Sequence, residues 1–496
     1  MYDHSKQFRC TIIRGKSQSE MDDLLPAYAK VISEICPCQT TDFPEKFNDE
    51  FQRFLPESKR VKKTLDNHRT EISGKLFGMY YKANDGNVYA SQRTLKYLED
   101  NDQPAFFKDI CYKMQFPNGM DKLDTLMQKV DRNICIRQNS YIIKLLTLAE
   151  KNKISISIKD IGYYVLNSLD VLQLNATPEE VIDQIIKDRK NNIIREIVAY
   201  DENGNRKASS YTMQHIKEQL NYLELANLIR QYDGYVMLNK KESATIEIFA
   251  KHYNDNPIFN VYLYDLSTVD KRKEFQAEWD YYFSTLSNEA ENFSTDISSL
   301  ISEEVPAKEK TKEDSNEGGK NLVQFGDAGE SIVYEYEKHR VAKYNKRLTN
   351  KVIAFGKTKG VGFDIQSIVA KKGPTAEFCK YIEVKSTKRF TSPDPQNSLW
   401  IDTLNITRNE WVAAQQHKEY YSIYRVYFTK DGIKMFILDN IYKKEQENKI
   451  TVIPVNYRCE FSNDSIDDVV TLDDEDGELS PIIEKVAESI DIYGRK

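Results

Sequence analysis

The most informative alternation of hydrophobic and polar residues lies in the last third of the chain. In the segment 380–385, KYIEVK, a β-strand would turn Ile382 and Val384 to one face and Glu383 and Lys385 to the other. The apolar face would hold the strand in a core. The polar face would present a carboxylate and an ammonium group side by side, which makes this strand the first candidate for a functional site.

The residues around this strand predict a regular order of elements: a helix, three strands, a helix and two further strands. The predicted elements are, in chain order, a helix that opens at 326–330, strands at 352–355, 365–370 and 380–385, a helix from Thr407, and strands at 422–428 and 435–438. Thr407 and Glu410 have capping-box spacing, which favours a helix start. Glu330 and Glu337 would share one face of the first helix, and Asp364 would stand directly before the second strand.

The N-terminal part of the chain predicts a mostly helical fold with winged-helix character in two segments. In the first, helical patterns at 141–150 and 159–169 flank an alternating, strand-like run at 154–158. In the second, an apolar stripe that begins at Met213 predicts an amphipathic helix, and 228–238 predicts two strands around an Asp-Gly turn. A helix followed by such a hairpin is typical of DNA-binding domains, although winged helices also bind proteins.

Asp364 and Glu383 are the candidate metal ligands of the C-terminal part. Two carboxylates can hold a hard divalent cation through oxygen, with the main-chain carbonyl of Val384 as a further donor. Lys385 beside them can steady an attacking water molecule and a developing negative charge. Metal-assisted hydrolysis of a phosphodiester needs these groups together, although a Glu-x-Lys pair on an exposed strand is also common as a solvated ion pair.

The order of elements, with an acid on the first helix, Asp364 before the second strand and Glu383-x-Lys385 on the third, resembles the PD-(D/E)XK nuclease core. More narrowly, the motifs GDAGE, GVGFDIQS, YIEVKST and LNITRNEW are similar to the Nov-type C-terminal domain family, a branch of that fold found in restriction and defence proteins. The resemblance implies that Asp364 and Glu383 bind the metal, that Lys385 is the catalytic lysine and that Glu330 is the helix acid. The proline that gives the fold its name does not precede Asp364.

Three segments nearer the N-terminus, 69–76, 102–108 and 115–119, mix basic, polar and aromatic residues. They are similar to the N-terminal recognition regions of restriction endonucleases, which bind DNA with one domain and cut it with another. Taken singly, aromatic residues such as Phe106 and Phe116 are expected to lie in a hydrophobic core.

The net charge of the chain is −7, but the charge is unevenly distributed. Residues 460–480 contain nine acidic residues and no base, whereas 326–395 contains 14 Lys and Arg against eight Asp and Glu. Because charges are screened beyond about 8–10 Å at cellular salt, DNA would respond to the local surplus of positive charge. The candidate contacts to the DNA backbone, which could also be plain solubilising residues, are Lys371, Lys372, Lys388, Arg389 and Arg230.

Composition limits the class of protein. A hydrophobic content of 40% and a charged content of 30% describe an ordinary globular protein, and no apolar run is long enough for a membrane span. The N-terminal residues lack an apolar secretory core, so a cytoplasmic location is expected. The seven cysteines and six histidines show no zinc-ligand spacing, and Cys36-Pro37-Cys38 is expected to hold free thiols.

The clearest boundary is the charged segment 303–320, which contains almost no large apolar residue. Such a segment buries too little surface to fold and should act as a tether. The predicted division is an N-terminal helical recognition region at 1–135, a winged-helix-like DNA-binding region at 136–300, a charged flexible linker at 301–321, a PD-(D/E)XK nuclease domain at 322–458 and an acidic C-terminal tail at 459–496.

The sequence thus predicts an α+β multidomain protein, with a mostly α-helical N-terminal half of winged-helix character and a C-terminal α/β core like that of PD-(D/E)XK restriction endonucleases. We expect a DNA endonuclease that uses Mg²⁺, or Mn²⁺ in its place, and recognises double-stranded DNA. A cognate methyltransferase and a homodimer during double-strand cutting are further expectations. The alternatives are a catalytically silent DNA-binding or assembly subunit of a defence system, or a nuclease that acts on RNA or modified DNA.

Overall fold

The structure is a computed structural model that describes residues 5–13, 15–195, 197, 209–295, 297–300, 328–355, 361–397 and 400–452. The chain divides into two compact units, Met1–Ile450 and Thr451–Lys496, and every helix and strand of the described residues belongs to the first. The predicted linker at 301–321 and the predicted acidic tail at 459–496 lie outside the described residues. The domain boundaries that rest on them therefore stay predictions.

Helices provide most of the regular structure in the described residues, and strands add three sheets, so the fold is an α+β mixture. The α-helices are, in chain order, α1 Gln18–Ile35, α2 Phe43–Phe51, α3 Lys62–Asn67, α4 Gln92–Asp100, α5 Gln103–Lys113, α6 Leu123–Asp131, α7 Gln138–Lys151, α8 Ile158–Asp160, α9 Leu169–Leu172, α10 Pro178–Lys190, α11 Ser209–Leu225, α12 Ser243–Lys251, α13 Val269–Ser284, α14 Ile297–Leu300, α15 Ala328–Tyr344, α16 Arg408–His417 and α17 Ile441–Gln446. Reciprocal capping boxes begin α1, α10 and α16, where Ser17, Thr177 and Thr407 each accept a backbone N–H three residues on. Within the described part of the chain, no helix combines the length and apolarity that crossing a membrane requires.

The strands divide between the N-terminal and C-terminal parts of the unit. They are β1 Cys38–Gln39, β2 Tyr80–Lys82, β3 Asn87–Ala90, β4 Ile156–Ser157, β5 Ile229–Tyr232, β6 Tyr235–Leu238, β7 Ile353–Ala354, β8 Ile365–Ile368, β9 Cys379–Lys388, β10 Tyr421–Thr429 and β11 Gly432–Asp439. Two three-stranded sheets have the orders β1-β3-β2 and β4-β6-β5, and the C-terminal sheet has the order β11-β10-β9-β8-β7. The C-terminal sheet is therefore the largest, and β9 lies at its centre.

The N-terminal part, from α1 to α13, is built around one large hydrophobic core. The aromatic residues of the basic and aromatic segments belong to it, because Phe106, Phe107 and Phe116 are buried. The expectation that these rings are core residues is confirmed. The helices predicted at 141–150, at Thr177 and from Met213 are present as α7, α10 and α11.

The short strand β4 and the hairpin β5–β6 form one sheet, which joins the two segments in which the sequence predicted winged-helix character. Ile156 of β4 pairs with Val236 of β6, so runs far apart in the chain belong to the same unit. The hairpin turns at Asp233 and Gly234, which have φ values of 49° and 78°. Positive φ at both central positions gives the type of tight turn that matches the twist of the two strands. The helix predicted at 159–169 is instead divided into α8, a π-helical turn and α9.

In the C-terminal sheet the predicted order of helix, three strands, helix, strand and strand is confirmed. Strand β9 pairs antiparallel with β8 and parallel with β10, and the chain crosses from β9 to β10 through α16. Ile382 and Val384 pack with α15 in one core, whereas Tyr381 packs with α16 in another. The alternation predicted for this strand is confirmed, and it turns Glu383 and Lys385 to the α16 face.

The C-terminal end of β9 continues directly into a junction with the N-terminal part. Lys388 Nζ donates to Asp102 Oδ2 at 3.0 Å, and Arg389 Nη2 donates to Asp23 Oδ1 at 2.9 Å. The next residue, Phe390, is 1% exposed and belongs to the N-terminal hydrophobic core. The strand that carries Glu383 and Lys385 is therefore anchored at one end in the N-terminal part.

Candidate active site

Asp364 lies at the start of β8, and two hydrogen bonds fix it against β9. Its N–H donates to Ile382 O at 2.9 Å, which extends the antiparallel ladder by one residue. Its Oδ2 accepts the N–H of Val384 at 2.7 Å. That N–H belongs to the peptide group that links Glu383 to Val384, so the two candidate ligands lie on neighbouring strands beside the same peptide.

Lys385 is the positive group of the site, and it is paired with two carboxylates. Its Nζ lies 2.7 Å from Glu383 Oε1 and 2.9 Å from Glu410 Oε2. Glu410 comes from the first turn of α16. The structure therefore brings together Asp364, Glu383 and Lys385 as the sequence predicted, and it adds a third carboxylate for which the sequence had suggested no chemical role.

Burial and like charges weaken the acidity of Glu383. Its side chain is almost inaccessible to water, and burial is the main reason why its pKa rises to about 8; the negative charges of Asp364 and Glu410 add to the effect and Lys385 opposes it. For Lys385, burial acts to lower the pKa, but Glu383 and Glu410 outweigh it and raise the pKa. Carboxyl groups that burial and neighbouring charges perturb in this way are characteristic of functional sites.

Helix α16 approaches the Asp364 turn closely because the turn contains Gly362. This residue has a φ of +80°, and a Cβ atom there would lie 2.7 Å from the carbonyl oxygen of Asn409. The Tyr421 hydroxyl donates to the carbonyl oxygen of Gly362 at 3.0 Å, which ties β10 to the same turn. Gly362 thus lets the helix that carries Glu410 pack against the loop that carries Asp364.

The two acids of α15 have different surroundings. Glu337 is fully buried and forms a 2.6 Å ion pair with Arg340, and it accepts the Tyr424 hydroxyl at 2.8 Å. Burial acts to raise the Glu337 pKa, but these partners outweigh it and lower the pKa, so this acid has a structural role. Glu330 lies half-buried in the first turn of α15, and its role at the site stays a prediction.

The geometry does not form a complete cage for a metal ion. Among the described residues, no three His, Cys, Asp or Glu side chains converge as metal ligands. The sequence predicted three donors: the carboxylates of Asp364 and Glu383 and the main-chain carbonyl of Val384. These residues lie side by side on the neighbouring strands, where the Val384 N–H donates to Asp364.

The N-terminal part of the chain matches a known protein family. Residues 2–280, more than half of the chain, match the family model described as restriction endonuclease BpuJI, N terminal. The chain belongs to this family. The expected resemblance of the N-terminal part to the recognition regions of restriction endonucleases is thereby confirmed.

A protein of known structure is also similar to this chain. That protein is the BpuJ1 endonuclease binding domain, in a crystal structure with pyrene- and phenanthrene-modified DNA. The two sequences are 52% identical, and the match covers 57% of this chain and 100% of the binding domain, with a TM-score of 0.54. Residues 329–438 match a second family model, described as protein NO VEIN, C-terminal, which confirms the expected Nov-type resemblance. The comparison with curated proteins gave no match.

The residues predicted to contact DNA occupy three different environments. Lys371 and Lys372 are exposed in the turn after β8. Arg230, on the hairpin of the BpuJI-type part, is half-buried and donates from Nη2 to Asn227 Oδ1 at 2.6 Å. Only the first two lie open to a phosphate backbone in this conformation.

Lys388 and Arg389 have partners different from those expected. Both are held at the junction by acidic residues of the BpuJI-type part, Asp102 and Asp23 respectively, and Arg389 is largely buried. The sequence could not reveal this, because the partners lie 286 and 366 residues away in the chain. In this conformation the two side chains bind protein rather than face outward as phosphate contacts would.

Glu410 is the site residue to which sequence reasoning gave no chemical role. Its capping-box spacing from Thr407 explained its presence fully as a helix-start signal. One further signal was present: the motif LNITRNEW, which contains Glu410, is one of those that resemble the Nov-type family. The same carboxylate accepts the N–H of Thr407 in the helix cap and contacts Lys385. The local capping pattern therefore gave no sign of the tertiary contact.

Proposed function

We propose that this protein is a metal-dependent DNA endonuclease of the restriction type, which recognises double-stranded DNA through its N-terminal part and hydrolyses the backbone with its C-terminal domain. The observation that carries the proposal is the presence, in one chain, of a BpuJI-type N-terminal region and the cluster of Asp364, Glu383 and Lys385. The binding domain to which the chain is similar is bound to DNA in its crystal structure. A recognition region without a cutting site, or the reverse, would leave half of this function unexplained.

The donor set fits magnesium. Mg²⁺ is usually held by one or two carboxylates, with water and substrate oxygens completing its coordination, so a three-carboxylate cage is not required. Asp364 and Glu383 would hold the ion, with the carbonyl of Val384 as a further donor. Burial is the main cause of the raised pKa of Glu383, and the neighbouring negative charges add to it; a cation would relieve the repulsion between these charges. A bound Mg²⁺ would supply Lewis-acid stabilisation of charge on the phosphate, and Mn²⁺ has similar ligand preferences.

The residues of the chain would then act on the reacting groups as follows. Hydrolysis joins a water oxygen to the phosphorus, breaks the bond from the phosphorus to one sugar oxygen, and leaves a proton on that oxygen. Lys385 would orient the water and stabilise negative charge on the phosphoryl oxygens, because its ammonium lies 2.7 Å from the carboxylate of the candidate ligand Glu383. Glu330, from α15, would tune the site or contribute to a second metal position.

Recognition would come from the BpuJI-type part. Helix α11 and the β5–β6 hairpin would act together as a winged helix, in which a helix enters the major groove and the hairpin contacts the adjacent backbone. Lys371 and Lys372 would add contacts to the backbone near the cutting site. Double-strand cutting with one site per chain calls for a homodimer or two successive nicks, and a cognate methyltransferase would protect the host DNA.

The test is cleavage of plasmid and phage genomic DNA by the purified full-length protein, with magnesium, with manganese and with EDTA. We expect discrete fragments with either metal and none with EDTA, and we expect Lys385→Ala to bind the same DNA without cutting it. A protein that binds DNA but cuts none of these substrates with either metal would favour the alternative of a silent DNA-binding subunit. Cleavage of RNA alone would overturn the proposed substrate.

A further inference from the structure

The ammonium group of Lys385 is held from two sides by carboxylates on different elements. Glu383 is on the same strand, two residues away, and its Oε1 lies 2.7 Å from Nζ. Glu410 is on α16, and its Oε2 lies 2.9 Å from Nζ. The side chains of Lys385 and Glu410 are 21% and 13% exposed, so water competes little for either contact.

Glu410 is itself fixed in place. It is the third residue of α16, where its Oε2 accepts the N–H of Thr407 at 3.0 Å and its own N–H donates to Thr407 Oγ1 at 3.3 Å. The buried Ala413 and Ala414 hold the helix on the sheet, and Gly362 allows the helix to approach the Asp364 turn. The carboxylate therefore reaches Lys385 from a rigid support, which is what accurate positioning of a reactive group requires.

We propose that Glu410 is the positioning residue for Lys385: it holds the ammonium at the site through a carboxylate that is independent of the candidate metal ligands. This inference rests on the proposed function, in which Glu383 is committed to a cation. A carboxylate that binds a cation attracts a neighbouring lysine less strongly, because its negative charge is partly neutralised. Glu410 then becomes the anchor that keeps Lys385 beside the reacting phosphate.

A helix cap alone does not account for this arrangement. Glutamine serves in a capping box as well as glutamate, because its side-chain oxygen also accepts the N–H of the cap residue. A negative charge is needed only for the contact with Lys385. Replacing the charge while keeping the cap therefore separates the two roles, and removing the cap while keeping the charge is the matched control.

The experiment compares Glu410→Gln, Glu410→Ala and Thr407→Ala in the full-length protein. Under single-turnover conditions with magnesium, we expect Glu410→Gln to cut about 10- to 100-fold more slowly, because a charged hydrogen bond to Lys385 is lost. Glu410→Ala should be slower still, whereas Thr407→Ala should cut at close to the wild-type rate. DNA affinity should stay within about twofold in all three, since none of the changes is in the recognition region.

A second measurement does not depend on cleavage. The rate at which an amine-reactive ester labels Lys385 is measured by peptide mass spectrometry, in metal-free protein and relative to the exposed Lys371. We expect Lys385 to be labelled several-fold faster in Glu410→Gln than in the wild type or in Thr407→Ala, because one of its two anchors has been removed.

These readouts distinguish failure of the inference from failure of the proposed function. If the wild type cuts no nucleic acid, the proposed function fails, but the labelling still decides whether Glu410 positions Lys385. If Glu410→Gln cuts and is labelled like the wild type, or if Thr407→Ala is as slow as Glu410→Gln, Glu410 is only a helix cap and the inference is overturned.

Discussion

The N-terminal part and the C-terminal site both bury charged side chains, but they balance them differently. In the N-terminal core, Arg93 pairs with Asp109 and Lys108 pairs with Glu242, each at 2.8 Å, and all four side chains are at most 5% exposed. Each of these two positive charges has one carboxylate partner. At the C-terminal site the ammonium of Lys385 is shared by two carboxylates, Glu383 and Glu410, and the charge of Asp364 also acts on Glu383.

The difference teaches where function is to be sought in this chain. A buried pair with matched charges is a structural element, whose loss leaves one partner stranded in a medium of low polarity. Where two carboxylates share one ammonium, as Glu383 and Glu410 share that of Lys385, an added cation or a proton relieves the repulsion between the negative charges. Burial of charge is common to both regions, so the imbalance, rather than the burial, marks the site.

The largest effect should come from removing one carboxylate of the cluster. Asp364→Asn keeps an oxygen that can accept the N–H of Val384 but removes the charge. We expect cleavage to fall by at least about 10³-fold, because the charge that would hold the cation and stabilise the reaction is gone. DNA affinity should be unchanged or tighter, because a carboxylate near phosphate is repulsive. A variant that unfolds at room temperature would show instead that Asp364 has a structural role.

Breaking a buried ion pair of the N-terminal core should lower the stability of the protein. Lys108→Met leaves Glu242 buried without its cation, although Asn227 and Ser299 still bond to it. We expect the free energy of unfolding, measured by urea titration, to fall by about 3–5 kcal/mol. Lys385→Met should cause no comparable loss, because Glu383 can hold a proton at neutral pH. Equal losses in the two variants would erase the contrast between the regions.

The pH dependence of stability should sharpen the same contrast. In metal-free protein the Glu383 pKa is raised to about 8, against 4.5 for a free carboxyl, so between these values the folded protein holds a proton that the unfolded chain has lost. The free energy of unfolding therefore falls as the pH rises through this window. The side chain in Glu383→Gln cannot titrate. The melting temperature of this variant minus that of the wild type should therefore increase from about pH 5 to about pH 8 and be constant above that. A constant difference across this range would contradict the raised pKa.

Local patterns predicted most of the C-terminal fold and the central residues of its site. The alternation around Glu383, the strand-like run that follows Asp364 and the capping box at Thr407 are each complete within a few residues, so they could be recognised without tertiary information. The order of elements that they predicted is the order observed. The site followed because neighbouring strands bring Asp364 and Glu383 to the same peptide group.

What the sequence did not predict depends on contacts between distant segments. The partners of Lys388 and Arg389 lie in the N-terminal part, and a local count of charges assigned both side chains to DNA instead. The strand β4 pairs with a hairpin almost 80 residues later, so two predicted segments proved to be one sheet. Glu410 meets Lys385 only because α16 folds over the sheet, and its local role as a cap was sufficient to explain it.

The smallest effect concerns the basic residues outside the site, and it tests whether exposure separates DNA contacts from junction contacts. Lys371 and Lys372 are exposed, so the double change to alanine should lower the slope of log affinity against log salt by about 1–2 and weaken binding most at low salt. Lys388→Ala should leave that slope unchanged, because its Nζ is bonded to Asp102 and to the carbonyl of Thr295. It should instead lower the melting temperature, since Asp102 loses a partner at the junction. If Lys388→Ala lowers the salt slope as much as the double variant does, the junction opens when DNA binds and the lysine that anchors β9 becomes a phosphate contact.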